Sequence, residues 1–101
     1  MRCTNWNFHT SLDIYNKNAI SEENKIAFFI KAGDRSSINF AYEDSLKFYH
    51  HALVVFNENP ALKDPFLHTY ISILISYADT LLKLRMLEEA EDFYLQAIAL
   101  T

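Results

Sequence analysis

The sequence is short of the residues that make tight turns, with one glycine and two prolines among 101 residues. Few hairpin turns can be built from that supply, which argues against an all-β sandwich or barrel. The same shortage removes phosphate-cradling glycine loops, and no Gly-x-Ser-x-Gly elbow occurs. A single cysteine, Cys3, permits neither an internal disulfide framework nor a thiolate zinc site. No unbroken apolar run exceeds five residues, too few to span a bilayer. Basic residues are outnumbered, 9 against 13 acidic, for a net charge of −4. No basic footprint for nucleic acid or an anionic membrane surface follows from that balance. Met1 to Trp6 carry neither a signal-peptide apolar core nor the arginine-rich character of a transit peptide.

Apolar and aromatic side chains are plentiful, at 50% and 15% of the chain. That is enough to bury the core of one domain. Their spacing is helical. Phe66, Tyr70, Leu74, Tyr77, Ala78 and Leu81 recur at steps of three and four, predicting a helix over about 65–84. Asp64 and Pro65 read as its N-cap and first residue. Leu87, Ala90, Tyr94, Ala97 and Ile98 mark the next helix, to about residue 100. Its first turn holds Glu88, Glu89 and Glu91, which suit the positive end of the helix dipole. The link Arg85-Met86 is so short that these helices must run antiparallel. Upstream, Ser21 reads as the cap of a helix over about 22–33 containing Ile26, Phe29 and Ile30. Further helices are expected over about 40–56 and 8–19. The expected fold is all-α in one domain over 1–101: a lone helix, a hairpin over about 22–56 and a hairpin over about 65–100.

The chain also repeats itself. Glu43, Phe48, Tyr49 and Ala52 recur 45 residues later as Glu88, Phe93, Tyr94 and Ala97. Asp44, Ser45 and Leu53 recur conservatively as Glu89, Ala90 and Ile98. A fainter copy, Ser11 to Tyr15, aligns with Ser45 to Tyr49 at an offset of 34, with Phe8, Tyr42 and Leu87 in one column. The offsets differ by 11, almost three helical turns, so the extra residues can lengthen flanking helices without rotating their apolar faces. They fall around 57–65. The small residues Ala52, Ala78, Ala90 and Ala97 allow helices to cross closely, and Phe48, Tyr49, Phe93 and Tyr94 are expected to fill the space between successive hairpins.

Ala78, Leu81, Glu89-Ala90, Tyr94, Ala97 and Ile98 resemble a tetratricopeptide repeat, a helix-turn-helix unit of 34 residues in that family. In the earlier hairpin Gly33, Tyr42, Ser45, Tyr49 and Ala52 fit the same pattern, while Ser36 stands where a large apolar residue is usual. The stretched spacing is similar to that of kinesin-light-chain-like proteins and of mitochondrial members, including adaptors of an inner-membrane AAA protease. The resemblance implies a short α-solenoid of stacked hairpins. Gly33, Ser45, Tyr49, Ala52, Ala78, Leu81, Ala90, Tyr94 and Ala97 would be its packing positions. It also implies a concave face lined by the first helix of each hairpin. Ile30, Asp34, Ser72, Ile75, Asp79 and Lys83 would point into it. Those side chains mix apolar and acidic character, and the paired Lys, Arg and Asn that clamp a C-terminal carboxylate are missing. An apolar or basic helix is the expected ligand.

Candidate catalytic groups fit plainer roles. His50 and His51 are neighbours in sequence, so on a helix they point about 100° apart and do not chelate together. His9 and His68 cannot be brought to them by pattern alone. The Glu88, Glu89, Glu91, Asp92 cluster is explained by dipole complementarity and solvation. Cys3 has no histidine placed to activate it. Trp6 and Phe8 read equally as a partner anchor or as cover for the first hairpin.

The sequence thus predicts a non-catalytic scaffold or adaptor that binds another protein and needs no cofactor, metal or nucleic acid. The first rival is a self-associating helical domain, possible as a homodimer. Its basis is the final hairpin, followed by no polar capping helix, with Leu95, Ile98 and Leu100 expected on an open face. That feature also reads as a fragment of a longer array. The second rival is an adaptor of a mitochondrial complex. The default compartment is intracellular and cytoplasmic, with mitochondria as the alternative.

Overall fold

The structure is a computed structural model that describes the backbone of residues 11–101 and the side chains from Glu22 onward. Trp6, Phe8, Cys3 and His9 lie outside the described residues. Among the described residues four α-helices follow one another: α1 (Ser11–Ile38), α2 (Tyr42–Glu58), α3 (Leu67–Lys83) and α4 (Leu87–Leu100). A short 3-10 turn, Pro60–Leu62, lies between α2 and α3. There is no strand among the described residues. Helix α1 packs on α2, α2 on α3, and α3 on α4.

Three features differ from the sequence reading. The helices expected over 8–19 and 22–33 are one continuous helix from Ser11 to Ile38 among the described residues. Nothing between Ser11 and Ala32 breaks a helix, and a serine in mid-helix costs far less than the backbone hydrogen bonds a break would forfeit. Gly33 is not a terminator either, since α1 runs one turn past it. Finally, α3 starts at Leu67 with Phe66 as N-cap, not at Pro65 with Asp64 capping. Backbone groups complete this junction, because the Phe66 N–H donates to Leu62 O (3.1 Å) and the Tyr70 N–H to Phe66 O (2.9 Å). The extra residues of the stretched repeat therefore form this turn rather than added helix. Asn59 anchors it, its side-chain amide donating to Glu22 Oε2 (2.6 Å) and Val55 O (3.0 Å).

The two hairpins match at the 45-residue offset down to their turns. Phe40 and Arg85 both adopt left-handed backbone, with φ of 62° and 66°. The Ala41 N–H donates to Ser36 O (2.8 Å), as the Met86 N–H does to Leu81 O (2.9 Å). Phe40 and Arg85 repeat the second bond, to Ser37 O and Leu82 O, both at 3.0 Å. This pattern caps a helix C-terminus by satisfying its last carbonyls. Glycine usually holds the left-handed position, and this chain manages without it in both hairpins.

The core joins all four helices. Ile26 of α1, Leu53 and Phe56 of α2, Ile73 and Leu74 of α3 and Ala97 of α4 share one buried cluster. Fully burying each large side chain contributes on the order of 1.5–3 kcal/mol. Gly33, Ser45, Tyr49, Ala52, Ala78, Leu81, Ala90 and Ala97 are all buried, and Tyr94 alone among the expected packing positions is partly exposed. Phe93 does not fill the space between hairpins. It packs inside its own hairpin, edge-on to Tyr77 with ring centroids 4.6 Å apart. Leu95, Ile98 and Leu100 are exposed, as the pattern suggests.

Candidate functional site

Helices α1 and α3 both run antiparallel to α2 and flank it. Between them lies a valley floored by α2. Its α1 wall follows the stripe Glu23, Ala27, Ile30, Asp34 and Ser37, at steps of three and four. One end is a mostly apolar depression of about 460 Å³, where Ile26, Ala27, Ile30, Phe56 and Phe66 surround Thr69, Asn24 and the charged Glu23 and Lys31. The other end is a polar recess of about 140 Å³ lined by Ser37, Tyr49, Ser76, Asp79, Thr80 and Lys83.

Three of the six residues assigned to the concave face line the two ends of this valley. Ile30 lines the apolar end, and Asp79 and Lys83 line the polar end. Asp34 accepts a hydrogen bond from Tyr49, whose ring forms part of the polar recess. Ser72 and Ile75, also on α3, are exposed and line neither depression. The sequence reading missed Ala27, Ser37, Phe66, Ser76 and Thr80. It ended the first helix at Gly33, so Ser37 had no helix to belong to. The continuous three-and-four stripe was the signal available.

A paired contact also escaped the sequence reading. The Tyr49 hydroxyl donates to Asp34, and the Tyr94 hydroxyl donates to Asp79. Donor and acceptor are each 45 residues from their counterparts, so this is one device used twice. Extending the repeat alignment back to Gly33-Asp34 over Ala78-Asp79 would have found it. The two copies differ in setting. Tyr49 is only 3% exposed, and burial, followed by the Asp34 carboxylate, pushes its hydroxyl up to about 12. For Tyr94 the hydrogen bond to Asp79 is the leading cause of a rise to about 12. Burial also raises Tyr77. Gly33 explains the close approach of Tyr49. A Cβ there would lie 2.6 to 2.9 Å from three carbons of the Tyr49 ring. Ser45 completes the crossing, donating to Gly33 O at 2.8 Å.

The histidines diverge. His51 stacks on Phe29 of α1, centroids 5.1 Å apart, and His50 leans toward Tyr77 of α3 at 6.4 Å. Among the described residues, no three His, Cys, Asp or Glu side chains are grouped so as to hold a metal ion. No described helix is long and apolar enough to cross a membrane. Lys83 places its ammonium 5.4 Å from the centre of the Tyr42 ring, tying the end of α3 to the start of α2. Compared with known proteins, the chain matches no family model, no curated protein and no solved structure.

Proposed function

We propose that this chain is a non-catalytic interaction scaffold of tetratricopeptide-like helical hairpins that holds a partner helix in the valley between α1 and α3. The observation that carries the reading is the division of the valley into an apolar end around Ile30 and Phe66 and a polar end around Asp79 and Lys83. Helix-in-groove binding uses apolar anchors with a charge-complementary edge. Asp34 and Asp79 supply acidic groups along the walls, so the fitting ligand is an amphipathic helix whose apolar residues lead into a basic end. The Tyr49–Asp34 bond fixes the orientation of one carboxylate before binding, which lowers the ordering cost of recognition.

The test is an NMR titration of the isotope-labelled chain with a basic amphipathic helical peptide and with an acidic one as control. Shifts are expected at Ile30, Asp34, Ser72, Asp79 and Lys83 with the basic peptide, and Ile30→Asp should weaken binding about tenfold. Shifts confined to the outer faces of α2 and α4, or equal response to both peptides, count against the valley.

A further inference from the structure

The 45-residue repeat pairs Glu22 to Phe56 with Leu67 to Thr101, and burial separates the counterparts sharply at two faces. Helix α2 docks on α3 through Tyr49, His50, Leu53 and Phe56, with Phe56 edge-on to Tyr70 at 5.1 Å. On α4 the corresponding residues are Tyr94, Leu95, Ile98 and Thr101. Leu53 is 6% exposed, whereas Ile98 is 65% exposed. Helix α3 in turn meets α2 through Tyr70, Ile73 and Tyr77, whose counterparts on α1 are Lys25, Phe28 and Ala32. Ile73 is 1% exposed and Phe28 is 62% exposed. Among the described residues, both halves of the α2–α3 junction thus recur uncovered, one on α1 and one on α4.

We infer that the chain associates with itself head to tail, α4 of one copy docking on α1 of the next as α2 docks on α3 within the chain. Two observations select a second copy as the occupant. The first is register. Carrying the internal junction across copies sets Leu95 against Ala32, Leu87 against Ile38 and Ile98 near Phe28. Leu87, Ile98, Ile38 and Phe28 are all large, apolar and exposed. The second is charge. Helix α4 bears Glu88, Glu89, Glu91 and Asp92 and no basic residue, while the docking face of α1 bears Lys25, Lys31 and Arg35. Among the described residues, the exposed Lys25 pairs with the half-buried Glu22, at 3.3 Å. Such an interface is heterologous, joining two different faces, so each copy added to an open chain presents the same two ends. The assembly does not depend on the peptide-binding reading.

Sedimentation equilibrium of the 101-residue chain over a concentration series tests it. The average mass should rise with concentration, less so at high salt. Phe28→Glu blocks the α1 end and Ile98→Glu the α4 end. Each variant alone should be monomeric, and an equimolar mixture should form a single dimer through the two unaltered faces. Lys31→Glu and Leu95→Glu provide a second pair on the same faces, and circular dichroism confirms that each variant retains its helices. A wild-type chain that stays monomeric up to its solubility limit overturns the inference. So does a Phe28→Glu variant that dimerises by itself, because α4 would then be pairing with α4.

Discussion

Gly33 sits inside a helix, where glycine costs about 1 kcal/mol relative to alanine. Its place is set by the Tyr49 ring lying across the backbone. Tyr49 is held by Asp34 and cannot retreat freely, so a methyl group at this position overpacks the crossing, at about 1–3 kcal/mol. Gly33→Ala should therefore lower the melting temperature in spite of alanine's helix propensity; a higher melting temperature would mean the ring yields. The counterpart, Ala78, carries that methyl group without strain, with the less buried Tyr94 as its aromatic neighbour in the repeat. Both hydroxyls are raised to about 12, and Tyr49 is the more buried. A hydroxyl whose folded pKa lies near 12 and whose unfolded pKa is about 10 favours folding fully below pH 10. That contribution is lost as pH rises from 10 through 12. Urea melts at rising alkaline pH should show wild-type stability falling over this window, and Tyr49→Phe should flatten the fall. In neutral buffer Tyr49→Phe should cost on the order of 1.5–3 kcal/mol, the range for a buried hydrogen bond to a charged partner, and more than Tyr94→Phe at its exposed site.

At the scale of the elements, the hairpin turns expose a local cost. Phe40 and Arg85 occupy a backbone region that costs an L-residue other than glycine roughly 1–2 kcal/mol. The two-bond cap holds them there, since it satisfies carbonyls of the preceding helix that would otherwise face only water. Arg85→Gly should stabilise the chain by about 1 kcal/mol, less the entropy that glycine adds to the unfolded state. A denaturation midpoint that moves down would place the turn in another conformation. The crossing of α3 and α4 is tested from the other direction by Ala97→Leu. Ala97 is buried in the shared core, so the added bulk should destabilise by about 1–3 kcal/mol. An unchanged melt would remove Ala97 from the interface.

For the whole molecule, two hairpins with matching turns and matching Tyr–Asp bonds are not equivalent, because only one of their outer faces is covered. Leu53 and Ile98 make the contrast measurable. Leu53→Ala should cost about 2–5 kcal/mol, as truncation of a buried leucine does. Ile98→Ala, at the same point of the repeat, should change monomer stability by no more than about 0.5 kcal/mol. Dilute-solution denaturation of both variants checks this, and equal losses would mean that α4 is covered in the monomer.

Helical class, the antiparallel last hairpin and the 45-residue repeat were determined by the sequence, since three-and-four spacing and recurring Tyr and Ala positions are local properties of the chain. Ile30, Asp79 and Lys83 of the valley were legible too, because they follow the stripes of α1 and α3. The continuity of α1 was not. A capping serine and a glycine are local signals; the serine loses to continuous backbone hydrogen bonding, and the glycine answers to the Tyr49 ring, more than a dozen positions away. The Asn59 to Phe66 junction was decided the same way, through a contact from Asn59 to Glu22 that no window along the chain contains. Tertiary structure alone decided which copy of a repeated residue is buried. Leu53 and Ile98 occupy the same place in the pattern, and the difference between them is the helix that lies on top.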